Sequence, residues 1–266
     1  VRRSYGKMAI YGFAVLVLIF LVLPTLIVIP MSFSSARYLE FPPPGFSLRW
    51  YENFFNTPSW VDSFTYSIKV GLCAAILAAV FGVMASIVLA RVKSKWVDAI
   101  YYVTMTPMIV PLVIIAVSLY SAYIQMKLQG TFIGLVIAHT VIAIPYVITT
   151  VSGSLRVFDI RIEQAAISLG AHPLKAFMKI TVPIISPSLL SGALFAFITS
   201  FDELIVSIYV SGVTSKTLPV RMWEGIRIEI DPTITAISAI LIMITVAFFV
   251  CMQIFQAMSR KRGLSQ

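Results

Sequence analysis

Three observations predict an all-α integral membrane protein with six transmembrane helices. Apolar residues make up 59% of the 266 residues and charged ones only 12%, about half the charge of a soluble domain. Mean hydropathy is +0.95. Six apolar stretches are each long enough to cross a bilayer, which takes about 20 residues in a helix. They fall at about 8–33, 66–90, 97–124, 132–155, 185–210 and 234–258. Together they predict a single transmembrane domain filling residues 1–266.

The loops fix an orientation. Thirteen lysines and arginines lie in the N-terminal flank, the 91–95 and 156–179 loops and the C-terminal flank; six lie in the alternate loops. The basic-rich side is cytosolic, which puts both termini and residues 156–183 inside. The formal net charge of +9 is therefore read as topology, with a lipid membrane as the partner and no nucleic acid. The first span is too long for a signal core, and no small-residue cleavage site follows it. Cys73 and Cys251 lie in opposite halves of their spans and read as small buried hydrophobes.

In chain order, the first outer loop holds Phe41-Pro42-Pro43-Pro44-Gly45, extended and turn-like, and then Trp50-Tyr51-Glu52-Asn53-Phe54, whose aromatics suit a membrane interface. The second span carries small residues four apart: Gly71, Ala75 and Ala79, then Ala74, Ala78 and Gly82. That pattern permits close helix contact, ordinarily within the chain. Pro107 and Pro111 imply a kinked or broken third span, and Pro145 a kink in the fourth. His139, also in the fourth, reads first as an interhelical hydrogen bonder and second as a functional group.

The fifth span holds the residues most costly to insert. A carboxylate near a helix centre costs about 2.5–3.5 kcal/mol in a bilayer, and Asp202 and Glu203 are adjacent. Thr199, Glu203 and Ser207 are four apart and would share a polar face of one continuous helix. Two readings stand: a lining for a substrate pathway, or an internal pair that fixes packing. In the last outer segment, Trp223 and Glu224 stand near Glu229 and Asp231, where an extracytoplasmic partner or only solvent would meet them. Phosphate-binding glycine loops, HExxH and Cys/His metal spacings do not occur in the sequence. The chain is therefore read as a non-enzyme without a cofactor of its own.

Residues 156–183 read as two short helices around a bend. Ile162, Ala165, Ala166 and Leu169 form one apolar face, Gly170 ends the helix, and Pro173 opens a second helix with Leu174, Phe177 and Met178 on its apolar side. Such a pair docks into a partner or lies on the lipid surface. Ala165, Ala166, Gly170, Ile180 and Pro183 keep the spacing of the EAA loop, and the loop resembles that of ABC-importer permeases. Gln164 stands where the family usually has Glu, with Glu163 adjacent, and Val182 stands for Leu. The chain also resembles the spermidine/putrescine branch through Ser47–Phe54, Phe201–Leu204, Leu218-Pro219 and Trp223.

The resemblance implies a type I importer permease fold, MetI-like, in the bacterial inner membrane. It implies a second permease chain, two copies of a cytosolic ABC ATPase that carries the ATP and Mg, and a periplasmic substrate-binding protein. Glu163, Gln164, Ala165, Ala166, Gly170, Leu174, Phe177 and Pro183 would then form the coupling element against the ATPase. Asp202, Glu203, Thr199, Ser207, Trp223 and Glu224 would meet a cationic substrate. An importer of another amine-bearing solute, such as an opine or aminoethylphosphonate, is the alternative within the class. An ion-coupled secondary transporter is the alternative outside it, and would need inverted repeats.

Overall fold

The computed structural model describes residues 2–213, 215–228 and 231–263, and it is helical almost throughout. Its contacts divide the chain into two compact units: Val1–Val61 with Met222–Gln266, and Asp62–Arg221.

The first unit is built on α1 (Arg2–Ser32), α2 (Arg49–Asn56) and α12 (Thr233–Gly263), with α12 packed on both others. Polar groups tie the helix ends. Ser32 Oγ lies 2.7 Å from the Tyr51 hydroxyl, and Asn53 Nδ2 donates to Thr233 Oγ1 at 2.7 Å. Asp231 accepts from the Thr233 N–H, capping α12. The aromatic run assigned to the membrane interface is α2 itself, and Phe54 is buried in this unit. Glu229 and the side chain of Cys251 lie outside the described residues.

The second unit centres on α6 (Phe132–Val157), which packs most extensively on α9 (Val182–Phe201). Glycines bring neighbours onto it. A Cβ at Gly82 of α3 (Pro58–Arg91) would stand 2.7 Å from Val147, and one at Gly192 of α9 would stand 2.4 Å from Thr150. The small residues of α3 thus serve contact within the chain. Pro145 is carried inside an unbroken α6.

Two expected spans are broken. The stretch 97–124 is α4 (Lys95–Ile109) and α5 (Leu112–Met126), bent by 103°. Pro111 restricts the residue before it, and Val110 is extended at φ −75°, ψ 134°. The stretch 185–210 is α9 and a short α10 (Ile205–Val210), separated by residues 202–204. Among the described residues, four helices are long and apolar enough to cross a membrane: Lys7–Ser32, Pro58–Arg91, Phe132–Val157 and Pro173–Phe201. The bent pair makes a fifth if it is one span, and Thr233–Ala247 is a shorter apolar helix.

Candidate functional site

The break between α9 and α10 places the two adjacent acids in different roles. Asp202 ends α9 with φ −89°, ψ 0° and is exposed. Glu203 is 6% exposed and turns back onto the start of α10. One carboxylate oxygen accepts from the Val206 N–H and the other from the Ser207 N–H, each at 2.9 Å. Those are orphan donors of a helix first turn, so Glu203 is a cap. The continuous polar face drawn through Thr199, Glu203 and Ser207 does not exist, because the helix stops between them. Thr199 is half-buried on α9, while Ser207 is fully buried on α10.

A cavity of about 630 Å³ opens at this break. Pro107, Met108, Val110 and Leu112 of the α4–α5 bend line one side, and Ile142 and Tyr146 of α6 another. Ile198, Thr199, Asp202 and Glu203 complete it with Leu204 and Ile205. Both chain breaks of the unit therefore meet at one pocket, where irregular backbone in a membrane protein is tolerated. The field there has a sign. The C-terminal end of α9 carries partial negative charge, and Asp202 adds a carboxylate. Glu203 offsets the positive N-terminal end of α10. A cation is the charge such a wall attracts.

Behind the break, His139 of α6 is 1% exposed and contacts Ser200 and Ser207. The sequence singled out this histidine as an interhelical hydrogen bonder, and periodicity gave no means of naming its partners.

The second candidate region is the 156–183 loop. Helix α7 (Ile160–Ser168) starts at Asp159, whose Oδ1 accepts from the Arg161 N–H at 3.0 Å. Gly170 takes φ +92°, the left-handed conformation that glycine adopts without a Cβ penalty. Beyond it the separate second helix is absent. Helix α8 (Pro173–Ala176) runs through a π turn, Phe177–Thr181, straight into α9.

Three groups bind the loop to the helical core. Arg91, at the end of α3, holds Glu163 with two bonds of 3.1 and 2.7 Å. Its guanidinium lies 5.8 Å from the centre of the Phe177 ring. The Thr181 hydroxyl donates to Glu163. Burial alone would raise the Glu163 pKa, but the Thr181 and Arg91 contacts hold it below its ordinary value of 4.5. Arg91 was read from sequence only as a topology charge, and nothing in the pattern paired it with Glu163.

The other loop residues face outward. Gln164, Ala165 and Pro183 are exposed and Ala166 half-buried, while Ile162, Leu169 and Leu174 are 51%, 89% and 64% exposed. In the outer segment, α11 (Leu218–Ile228) carries Trp223, over whose ring Arg227 lies at 5.4 Å. Glu224 stands on the same helix and has an interaction of its own.

Apolar helices long enough to span a bilayer, with chain breaks that meet at a mostly apolar pocket carrying Thr199, Asp202 and Glu203, mark a membrane-embedded protein. Residues 71–263 match the family of binding-protein-dependent transport system inner membrane components, and the chain belongs to that family. It is 31% identical over 243 residues to the spermidine/putrescine transport system permease protein PotC of Haemophilus influenzae, covering 91% of this chain and 94% of that one. It is 31% identical over 230 residues to the putrescine transport system permease protein PotI of Escherichia coli K12, covering 84% and 82%. Its fold matches a chain from the crystal structure of a bacterial ABC transporter involved in import of the acidic polysaccharide alginate, with a TM-score of 0.71 over 96% of both chains at 14% identity. The family makes this chain a membrane-spanning transport component and not the ATP-hydrolysing subunit.

Proposed function

We propose that the chain is a permease subunit of a bacterial inner-membrane ABC importer for polyamines such as spermidine and putrescine. It pairs with a second permease, two copies of a cytosolic ATPase that bind ATP and Mg, and a periplasmic binding protein that delivers the amine. The observation that carries the substrate class is the asymmetric break: Asp202 stands free in a cavity at the negative end of α9 while Glu203 is consumed as a cap. An ammonium and a carboxylate offset each other's desolvation. The relatives named for spermidine and putrescine support the same choice. Uptake of labelled putrescine and spermidine by proteoliposomes holding the complete complex tests it, with aminoethylphosphonate as competitor. Uptake of the phosphonate alone would sink the polyamine reading.

Two predictions concern the loop, which we assign to the cytosolic side as the coupling element. A cysteine at Ser168 labels only from inside and one at Tyr38 only from outside intact cells; labelling of both from outside would overturn the topology. Gly170→Ala costs about 1–2 kcal/mol of loop stability through positive φ alone, since no atom lies within 4 Å of the added Cβ. Gly170→Asp adds a charge at the dock and loses ATPase association while inserting normally. Wild-type transport-linked ATP hydrolysis in Gly170→Asp would show that the loop only rests on lipid.

A further inference from the structure

The polar groups at the α9–α10 break exceed what the helix ends need. Glu203 alone supplies partners for the Val206 and Ser207 N–H groups. A further set of bonds joins side chains only. His139 uses both ring nitrogens: Nδ1 lies 2.7 Å from Ser200 Oγ, and Nε2 lies 3.0 Å from Ser207 Oγ. Nε2 is also 3.8 Å from a Glu203 oxygen. Ser200 belongs to the last turn of α9 and Ser207 to the first turn of α10. One imidazole from a third helix thus spans the interruption from behind, and Asp202 hangs between its two attachment points on the cavity side.

This arrangement contributes geometry more than stability. Each hydrogen bond is worth only about 0.5–1.5 kcal/mol net, and all three groups are buried, at 1%, 4% and 0% exposure. The neutral ring has one donor and one acceptor nitrogen, matched by the Ser200 and Ser207 hydroxyls, and the Ser207 hydroxyl also bonds Glu203. The pair of contacts fixes the distance from the end of α9 to the start of α10. Recognition by a single carboxylate depends on that distance, because binding constellations must be held within about 0.5 Å.

We infer that His139 is a positioning residue for amine binding: it sets the place of Asp202 in the pocket without touching the amine. This rests on the reading of Asp202 as the amine contact given above. The unconnected alternative is a polar patch that merely packs α6 against its neighbours.

The variants are Ser200→Ala, Ser207→Ala, the pair together, and His139→Ala with and without the pair. Each is assembled with its partner subunits in proteoliposomes, and putrescine uptake is measured across amine concentrations beside the yield of assembled complex. The double serine variant leaves both His139 ring nitrogens buried without hydroxyl partners, so it is expected to assemble at reduced yield, and the complex that forms is expected to raise KM about tenfold with little change in maximal rate, the signature of lost binding. His139→Ala is expected to match it, and to add nothing further in its background, as members of one network do. An unchanged KM in the assembled double serine complex overturns the inference. So does failure of that variant to assemble, which would make the network a support of the fold. Full uptake by Asp202→Asn would instead remove the amine reading itself, and so is distinguishable from both.

Discussion

Glu163→Ala releases the loop from the end of α3 and abolishes transport-linked ATP hydrolysis while the spans still insert. Glu163 is the shared partner of Arg91 and of the Thr181 hydroxyl, and Arg91 also covers Phe177. Both arms of the loop are therefore anchored at one point. Removing one member of a buried ion pair costs about 3–5 kcal/mol; with the Arg91 side chain 32% exposed, the loss falls near the lower end. A cycle of Arg91→Ala, Glu163→Ala and the double variant should show coupling of about 2 kcal/mol in the melting of the complex. Arg91→Lys should recover only part of it, because an ammonium cannot hold both carboxylate oxygens as the guanidinium fork does. The pKa sets the acid limit. Glu163 is depressed in the fold, so its contribution is complete above its ordinary value of 4.5 and is lost as pH falls through the lower folded value. Additive single losses in the cycle would mean that the pair does not anchor the loop.

Asp202→Asn and Glu203→Gln should part company, although the residues are adjacent and the substitutions equivalent. Asp202 is exposed in the cavity, so its amide assembles normally and cuts polyamine uptake at least tenfold, about 1.4 kcal/mol. Glu203 gives both oxygens to backbone N–H groups. Its amide sets an NH2 against one of those donors, and a buried donor left without an acceptor costs about 1–3 kcal/mol. Glu203→Gln should therefore lower the yield of assembled complex, and Glu203→Ala should lower it further. Complex yield measured beside proteoliposome uptake separates the two. Equal yields with equal uptake losses would restore both acids as pathway residues.

The difference between these two acids shows where the sequence was legible. The cost of a carboxylate in a bilayer marked 202–203 as a special place, and prolines 107 and 111 marked the other break. The spacing of Thr199, Glu203 and Ser207 then misled, because a four-residue period is meaningful only in an uninterrupted helix. Nothing local announces the interruption: glycine and proline are absent from 202–204, and the buried contacts from α6 lie more than sixty residues away in the chain. In the 156–183 loop, the positive-φ glycine and the exposed apolar face of α7 were legible from composition and period. The fusion of α8 with α9 was not, since the apolar pattern separated a loop helix opening at Pro173 from a span beginning at about residue 185, whereas the chain runs through Pro183 and Pro187 in a helix that includes a π turn. Arg91 escaped because charge counting assigns a residue to a side of the membrane and not to a partner.

That fusion has a mechanical consequence. From Pro173 to Phe201 the chain is one rod of 29 residues, about 43 Å long at 1.5 Å per residue. One end carries exposed Leu174 and the other ends at the pocket wall. A push on the first end need not pass through a relay of side chains, because backbone hydrogen bonds carry it along the axis. The π turn at Phe177–Thr181 is the one place in the rod where the winding changes, and it sits at the anchor formed by Arg91 and Glu163. With the loop coupled to an ATPase as proposed, the anchor would lie close to the driven end of the rod, with a long arm beyond it. On the coupling role proposed above, a small tilt at the loop would become a larger sweep at Asp202.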